Sequence, residues 1–69
     1  MQFSLEQARK YAGLTQKEVA NGLHIDRSTY IKIEKDINRA TIGQITQFCK
    51  LTGIPVSNLI LPINSTNVE

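Results

Sequence analysis

The stretch Thr15–Glu34, TQKEVANGLHIDRSTYIKIE, decides how this chain folds. It opens with Thr15 three residues before Glu18, the spacing at which a cap hydroxyl and a carboxylate satisfy the free amides of a helix start. Asp26 suits the start of a second helix. Apolar side chains follow each start at the spacing of one helical face. The stretch therefore predicts two short amphipathic helices, at about 15–22 and 26–35, joined by a tight turn.

The same signals recur on both sides of this stretch. Ser4 precedes Gln7, and Thr41 precedes Gln44, at the capping-box spacing. Helix stop and start signals follow at Gly13, Gly53, Pro55 and Pro62. We predict helices at about residues 4–12, 15–22, 26–35, 41–52 and 55–61, and no segment alternates clearly enough to predict a sheet. The fold class is thus all-α, a compact five-helix bundle over residues 1–63, and we expect a polar, disordered tail at 64–69.

Size and composition limit what this domain can contain. A chain of 69 residues has a thin margin of stability. With one cysteine, Cys49, and one histidine, His24, it offers neither a disulfide nor a cluster of metal ligands, so we expect no metal and no cofactor. Since no signal peptide or long apolar run is present, we expect a reducing cytoplasmic location and no membrane partner.

Basic charge concentrates around the opening stretch. Residues 9–39 contain seven Lys/Arg against four Asp/Glu, whereas residues 40–69 contain only Lys50 and Glu69 as charged side chains. A surface that faces nucleic-acid phosphates requires such a concentration of cations.

The predicted third helix has two chemically different faces. Helical spacing places Thr29, Tyr30, Ile33 and Ile37 toward the core, and Arg27, Ser28, Ile31, Lys32 and Lys35 on the opposite side. The second set combines cations, a hydroxyl and an apolar group, which are the groups that contact base edges in the major groove of DNA. Ile31 alone would be an ordinary surface hydrophobe. Because this face has no acid, the whole set favours DNA contact.

Two charged residues near the third helix leave alternatives open. Asp26 either caps that helix with its carboxylate, the interpretation we favour, or accepts a hydrogen bond from cytosine N4. Arg9 lies on the apolar face of the first helix, so its guanidinium needs a partner. We expect that partner to be Glu34, and the pair would fix the angle between helices 1 and 3. The alternative is that Arg9 extends to solvent or to a phosphate.

Over about residues 4–61 the chain resembles the Cro/C1-type helix-turn-helix domain of phage repressors and the related XRE-family regulators. The similarity lies in Gly13–Ala20 (GLTQKEVA), Leu23–Thr29 (LHIDRST), Ile33-Glu34 and Leu51–Pro55 (LTGIP). It implies a bundle of the lambda-repressor-like type whose helices 2 and 3 form the helix-turn-helix. Relatives insert helix 3 into the major groove of double-stranded DNA, usually as dimers on two-fold operators. The function implied is sequence-specific transcriptional regulation, of the phage or prophage repressor kind.

The resemblance also implies roles for particular residues. Base contacts fall to Arg27, Ser28 and Lys32, with Ile31 beside them. Arg9 and Glu34 match a pair that joins helices 1 and 3 in many relatives. Phosphate contacts are expected at the starts of helices 2 and 4 and around the loop after helix 3, at Thr15, Gln16, Lys17, Lys35, Asn38, Arg39 and Thr41.

The chain departs from the family pattern at three places. His24 stands where the turn commonly has glycine, at a position that usually needs φ > 0 and costs histidine about 1–2 kcal/mol. Gly22 lies inside helix 2 and costs about 1 kcal/mol of helix propensity. The loop Lys35–Ala40 lacks the usual Gly and Pro, and Asp36 would lie close to the DNA backbone unless it turns away.

Apolar residues near the C-terminus outnumber what one short helix can bury inward. They are Ile54, Val56, Leu59, Ile60, Leu61 and Ile63. We expect them to form the interface of a weak homodimer that DNA reinforces. The alternative is that they close the open end of the core.

The sequence is compatible with three classes of function. The leading hypothesis is a DNA-binding regulator that acts by occupying its site. The alternative is a protein-interaction module of the same fold, such as an antitoxin or an anti-repressor adaptor, which the modest net charge of +2 and Asp36 keep open. An enzyme is not expected, because His24 and Cys49 are the only candidates for nucleophile and base, and Cys49 is predicted to lie in the core.

Overall fold

The computed structural model describes residues 2–61 of the chain. In chain order the helices are α1 (Leu5–Tyr11), α2 (Gln16–Leu23), α3 (Arg27–Lys35) and α4 (Ile42–Thr52). Single 3-10 turns, at Ile37–Arg39 and Val56–Asn58, follow α3 and α4. These four helices agree with the first four predicted ones to within a few residues. The tail at 64–69 and Ile63 lie outside the described residues.

Three helices begin at the capping boxes that their sequences predict. The cap hydroxyls of Ser4, Thr15 and Thr41 accept the third helical amide at 3.0–3.1 Å. In return, the side chains of Gln7, Glu18 and Gln44 accept the amide of the cap residue at 2.8–2.9 Å. Each box satisfies two donors that a helix start would leave free, which explains why α1, α2 and α4 start where they do.

The turn between α2 and α3 is built around His24, which has φ 61° and ψ 38°. It is the only residue other than glycine with positive φ within residues 2–61. The His24 amide donates to the Asn21 carbonyl at 3.1 Å, and the Ile25 amide donates to the Ala20 carbonyl at 3.0 Å. These two bonds form a Schellman motif, in which the left-handed residue is usually glycine. His24 thus takes the positive φ that this position of the family's turn usually needs.

The fifth helix predicted at 55–61 is wrong. Only Val56–Asn58 turns, because Pro55 and Leu59 on either side have extended backbone. The chain then runs beside Phe3, whose amide donates to the Asn58 carbonyl at 2.7 Å and whose carbonyl accepts from the Ile60 amide at 2.9 Å. Phe3 and Leu59 form an isolated parallel bridge. Backbone hydrogen bonds to the N-terminal segment thus replace those that another helical turn would have supplied.

The core lies between the four helices and the segment that follows α4. Its largest fully buried side chains are Tyr30, Phe48 and Val19. The other buried apolar residues are Leu5, Ala8, Ala20, Leu23, Ile33, Ile54 and Leu59. Helix α2 packs against both α3 and α4, and Gly22 lies at the second of these contacts. A Cβ atom at Gly22 would lie 2.5 Å from Leu51 Cδ1, so the glycine allows α4 to approach closely.

Candidate nucleic-acid interface

The uncovered face of α3 contains most of the residues predicted to contact bases. Arg27, Ser28 and Lys32 are exposed, and Ile31 is half-buried. Lys35 is also exposed, at the end of the helix. Tyr30 and Ile33 are buried on the opposite side, as their spacing predicts. The structure therefore gives α3 a cationic outer face and an apolar inner one.

The prediction that Thr29 lies on the inner face of α3 is wrong. Helical spacing placed it toward the core, but it is exposed. Its hydroxyl donates to Asp26 Oδ1 at 3.3 Å, which holds the side chain at the start of the helix. Thr29 lies in the first turn of α3, before the helix enters the core at Tyr30. It therefore joins the uncovered face, and the sequence analysis missed it.

Asp26 occupies the cap position of α3 but does not cap it in the predicted manner. Its backbone is extended, as a cap residue requires, yet its side chain accepts no hydrogen bond from a backbone amide. Instead Oδ2 accepts from Ser28 Oγ at 3.1 Å, and Oδ1 accepts from Thr29 Oγ1. The carboxylate is bound to two hydroxyls of the uncovered face. The side-chain hydroxyls of Ser28 and Thr29, and not the backbone amides of α3, therefore occupy the Asp26 carboxylate oxygens.

Arg9 and Glu34 come together beneath this face. Arg9 Nε donates to Glu34 Oε2 at 2.6 Å, and the two side chains are only 10% and 6% exposed. Arg9 Nη1 also donates to the Leu14 carbonyl at 2.9 Å. Glu34 is the only acid in α3, so the ion pair both joins α1 to α3 and removes a negative charge from the outer face.

Two further side chains complete the environment of Glu34. The Tyr30 hydroxyl donates to Oε2 at 2.6 Å, and Gln16 Nε2 donates to Oε1 at 3.2 Å. Neither contact was predicted from the sequence, although the spacing of Tyr30 and Glu34, one helical turn apart, is a signal that could have indicated the first. The carboxylate thus links α1, the start of α2, and α3.

The network shifts the protonation of its members in opposite directions. Burial alone would raise the pKa of Glu34, but hydrogen bonds from Arg9, Tyr30 and Gln16 outweigh burial and hold that pKa below its ordinary value. Burial and the bond to the Glu34 carboxylate raise the pKa of Tyr30 well above its ordinary range. At neutral pH the network therefore holds an ionised carboxylate and a neutral phenol.

The residues predicted to contact phosphates are differently placed. Lys17, Lys35, Asn38 and Arg39 are exposed. Gln16 is half-buried, and its side-chain amide nitrogen donates one of its two hydrogens to Glu34, so the second hydrogen and the backbone amide are its remaining donors. The hydroxyl oxygens of Thr15 and Thr41 accept within their capping boxes. Their hydroxyl protons remain available to donate, because an accepting hydroxyl still has its own proton.

The residues predicted for a dimer interface divide into two groups. Ile54 and Leu59 are buried in the core of a single chain, at 5% and 2% exposure, so these two close the core instead of facing a partner. Val56 and Ile60 are exposed, at 50% and 52%, and Leu61 is half-buried. The alternative that these residues close the open end of the core thus holds for two of them. The interface itself stays a prediction for the others.

Three observations on the described part of the chain concern other kinds of site. Within residues 2–61 no three His, Cys, Asp or Glu side chains lie together in a way that could hold a metal ion. Burial raises the pKa of the Cys49 thiol, which disfavours the reactive thiolate. The longest helix of this part, α4, has 11 residues and falls short of what is needed to cross a bilayer.

The comparisons with known proteins agree with this geometry. The family model described as helix-turn-helix matches residues 5–59. The chain is 30% identical over 56 residues to the cryptic phage CTXphi transcriptional repressor RstR of Vibrio cholerae. That alignment covers 81% of this chain and 50% of the relative, so the chain spans about half the length of that protein. No solved structure matches it. From the family match, the order of α2 and α3, and the Schellman turn between them, the chain belongs to the helix-turn-helix family, in the XRE type that its motifs predict.

Proposed function

We propose that this protein is a sequence-specific double-stranded DNA-binding transcriptional repressor that inserts α3 into the major groove. The observation that supports it best is the division of charge on α3. Arg27, Lys32 and Lys35 are exposed, while Glu34, the only acid of the helix, is turned inward to Arg9. A helix that was merely solvated would typically expose acids as well as bases. An uncovered helical face with cations, hydroxyls and one apolar group, Ile31, but no acid suits base edges and phosphates.

Arg27, Ser28, Ile31 and Lys32 are the proposed base contacts. Phosphate contacts would come from the exposed Lys17, Lys35, Asn38 and Arg39, and from the hydroxyl protons of Thr15 and Thr41. The backbone amides in the first turn of α2, including that of Gln16, would add donors at the positive end of the helix dipole. Binding by such contacts should weaken steeply as salt rises, because each neutralised phosphate releases counterions.

Repression is proposed by occupancy of the DNA site. The relative RstR is named as a transcriptional repressor, and this chain is similar to about half of it. We further propose a two-fold symmetric operator bound by a weak homodimer, with Val56, Ile60 and Leu61 at or near the contact between copies. The proposed location is the cytoplasm, where such DNA is found.

The test begins with selection of bound sequences from a random DNA pool. Arg27→Ala should then reduce affinity for the selected sequence by about 1–3 kcal/mol and leave affinity for random DNA nearly unchanged, since base contacts specify and phosphate contacts position. Lys50→Ala is the matched control, because Lys50 is an exposed cation on α4 outside the proposed interface. Fluorescence anisotropy titrations at several salt concentrations measure all three proteins.

Two outcomes would contradict the proposal. An equal loss for Arg27→Ala on both kinds of DNA would move Arg27 from the base contacts to the phosphate contacts. If wild-type protein selects no sequence, and heteronuclear NMR shows no shift at residues 27–32 with DNA at low salt, the DNA-binding function is wrong. That result would favour a protein partner.

A further inference from the structure

The start of α3 contains three exposed side chains that bond to one another. Asp26 Oδ2 accepts from Ser28 Oγ at 3.1 Å, and Asp26 Oδ1 accepts from Thr29 Oγ1 at 3.3 Å. An ionised carboxylate has no proton to give, so the direction of both bonds is fixed and the hydroxyls donate. Asp26 accepts no backbone amide that would compete for its oxygens.

The direction of these bonds determines what Ser28 can offer to a ligand. A serine hydroxyl has one proton and two lone pairs. When the proton is donated to Asp26, only lone pairs remain to face outward. A hydrogen bond to a charged acceptor is roughly twice as strong as a neutral one, so a neutral base oxygen would not draw the proton away from the carboxylate.

We propose that Asp26 sets the hydrogen-bonding polarity of Ser28, so that this position of α3 selects a base with an exposed amino group, cytosine or adenine. The inference rests on the proposed DNA-binding function and goes further, since it states which bases Ser28 accepts. In the major groove cytosine N4 and adenine N6 are donors, whereas guanine O6 and N7 and thymine O4 are acceptors. A serine without an available proton can bond only to the first pair.

The neighbouring cations make this polarity useful for specificity. Arg27 and Lys32 only donate, and they suit the acceptors of guanine. Ser28 lies between them in sequence and only accepts while Asp26 holds its proton. The face therefore presents donors at some positions and a fixed acceptor at another. A DNA sequence fits when its base edges carry the opposite groups, whereas a mismatched base sets a donor against a donor or an acceptor against an acceptor. Without Asp26, Ser28 could bond to any base.

The experiment measures base preference at one position of the selected DNA. That position is first identified as the one whose preference disappears in Ser28→Ala. In wild-type protein we expect the amino-bearing base to bind about 5- to 10-fold more tightly than guanine or thymine there, a value at the lower end of good base contacts because a single hydrogen bond is involved. In Asp26→Ala the freed hydroxyl can donate or accept, so the preference should fall to within about twofold.

Two variants separate this effect from charge and from folding. Asp26→Asn keeps an oxygen that can accept from Ser28 but loses the charge that holds the proton, so its preference should lie between those of wild-type protein and Asp26→Ala. Thr29→Ala removes the second hydroxyl and leaves the bond between Ser28 and Asp26 intact, so it should retain the preference. Should Asp26→Ala lose its fold by circular dichroism, Asp26→Gly replaces it, since glycine is a good helix cap.

Three results would overturn the inference while leaving the proposed function intact. They are a full preference in Asp26→Ala, a wild-type preference for guanine or thymine at that position, and a Ser28→Ala protein whose base preferences are unchanged throughout. Failure of wild-type protein to select any sequence is a different result, since it removes the DNA-binding function and this inference with it.

Discussion

His24 holds a backbone conformation that disfavours its own side chain. Its φ of 61° at the end of α2 is one that glycine adopts without strain. We expect His24→Gly to raise the free energy of unfolding by about 0.5–1 kcal/mol, because relief of a left-handed strain of about 1–2 kcal/mol exceeds the added freedom of the unfolded chain. Urea unfolding followed by circular dichroism measures this gain.

Gly13 provides the opposite control for this position. It also has positive φ, 77°, and a Cβ atom built there would have nothing within 4 Å, so only backbone strain opposes a side chain. Gly13→Ala should therefore lower the free energy of unfolding by about 1 kcal/mol. If His24→Gly is destabilising while Gly13→Ala behaves as expected, the imidazole must make a stabilising contribution that outweighs its strain.

Glu34 makes stability depend on pH in the acid range. Its pKa is lower in the folded chain than in the unfolded one, so its contribution is complete above the unfolded value of about 4.3 and is lost as pH falls through the lower, folded pKa. Glu34→Gln should make the unfolding free energy decline less as pH falls through the acid range. It should also lower the unfolding free energy near neutral pH by about 3 kcal/mol, since Arg9 loses its buried partner. Urea unfolding between pH 2.5 and pH 6 measures both effects.

Tyr30 has the opposite dependence, in the alkaline range. Its pKa is raised in the folded chain, so its contribution is complete below the unfolded value of about 10 and is lost as pH rises above it. Tyr30→Phe keeps the buried ring and serves as the comparison, because it removes this contribution to the alkaline decline. It should also make the acid decline smaller, since Glu34 loses one of the hydrogen bonds that hold its pKa down. An acid decline that is identical in Glu34→Gln and wild-type protein would contradict the role given to Glu34.

At the scale of elements, the contact between α2 and α4 depends on Gly22 and Leu51. Helix propensity alone would make Gly22→Ala stabilising by about 1 kcal/mol. The Leu51 methyls, 2.5 and 2.8 Å from the new Cβ, must move first. We expect Gly22→Ala to be destabilising in wild-type protein but stabilising by about 1 kcal/mol in a Leu51→Ala background.

A double-mutant cycle by chemical unfolding measures this coupling between the two helices. Asn21→Ala is the matched control, since Asn21 is exposed in the same helix and its change should be independent of Leu51. Equal effects of Gly22→Ala in both backgrounds would show that Leu51 moves aside freely, and that the glycine has no packing role.

The four α-helices could be predicted from the sequence because their signals are local. A capping box depends on residues three apart, and an apolar face depends on residues within two turns. The segment after α4 could not be predicted in this way. Pro55 indicated a helix start, but Leu59 and Ile60 pair with the backbone at Phe3, more than fifty residues away in the chain. Contacts of that range have no local signal, so the fifth helix was wrong.

The interface was predictable to the extent that helical spacing determines it. Spacing placed Arg27, Ser28 and Lys32 outward correctly. Helical spacing was wrong for Thr29, because it assumes that other helices cover the inner face of α3 along its whole length. It also could not decide which donors Asp26 would accept, because amides and hydroxyls lie equally close in sequence. Family resemblance did not supply these two details either.

At the scale of the whole molecule, burial of Ile54 and Leu59 leaves Val56 and Ile60 as the exposed apolar residues of the predicted interface between copies. Ile60→Glu should change the unfolding free energy by less than about 0.5 kcal/mol, because it is a surface change. It should nevertheless weaken binding to a two-fold operator, since it places charge between copies. Sedimentation equilibrium and anisotropy titrations measure association with and without DNA.

Leu59→Ala is the contrasting variant for this prediction. Leu59 is 2% exposed within one chain, so its truncation should cost about 2–5 kcal/mol of stability through loss of core packing. In a domain of this size that loss is a large share of the total. Unchanged self-association and unchanged operator affinity in Ile60→Glu would exclude this surface as the dimer contact.

Because Phe3 forms a parallel bridge with Leu59, the segment before α1 and the segment after α4 lie side by side. Removing either segment leaves backbone groups of the other without hydrogen-bond partners. Without Phe3, for example, the Asn58 carbonyl and the Ile60 amide lose theirs. The same adjacency suits circular permutation of residues 2–61, with a short linker that joins residue 61 to residue 2 and new ends cut at the exposed Gly13.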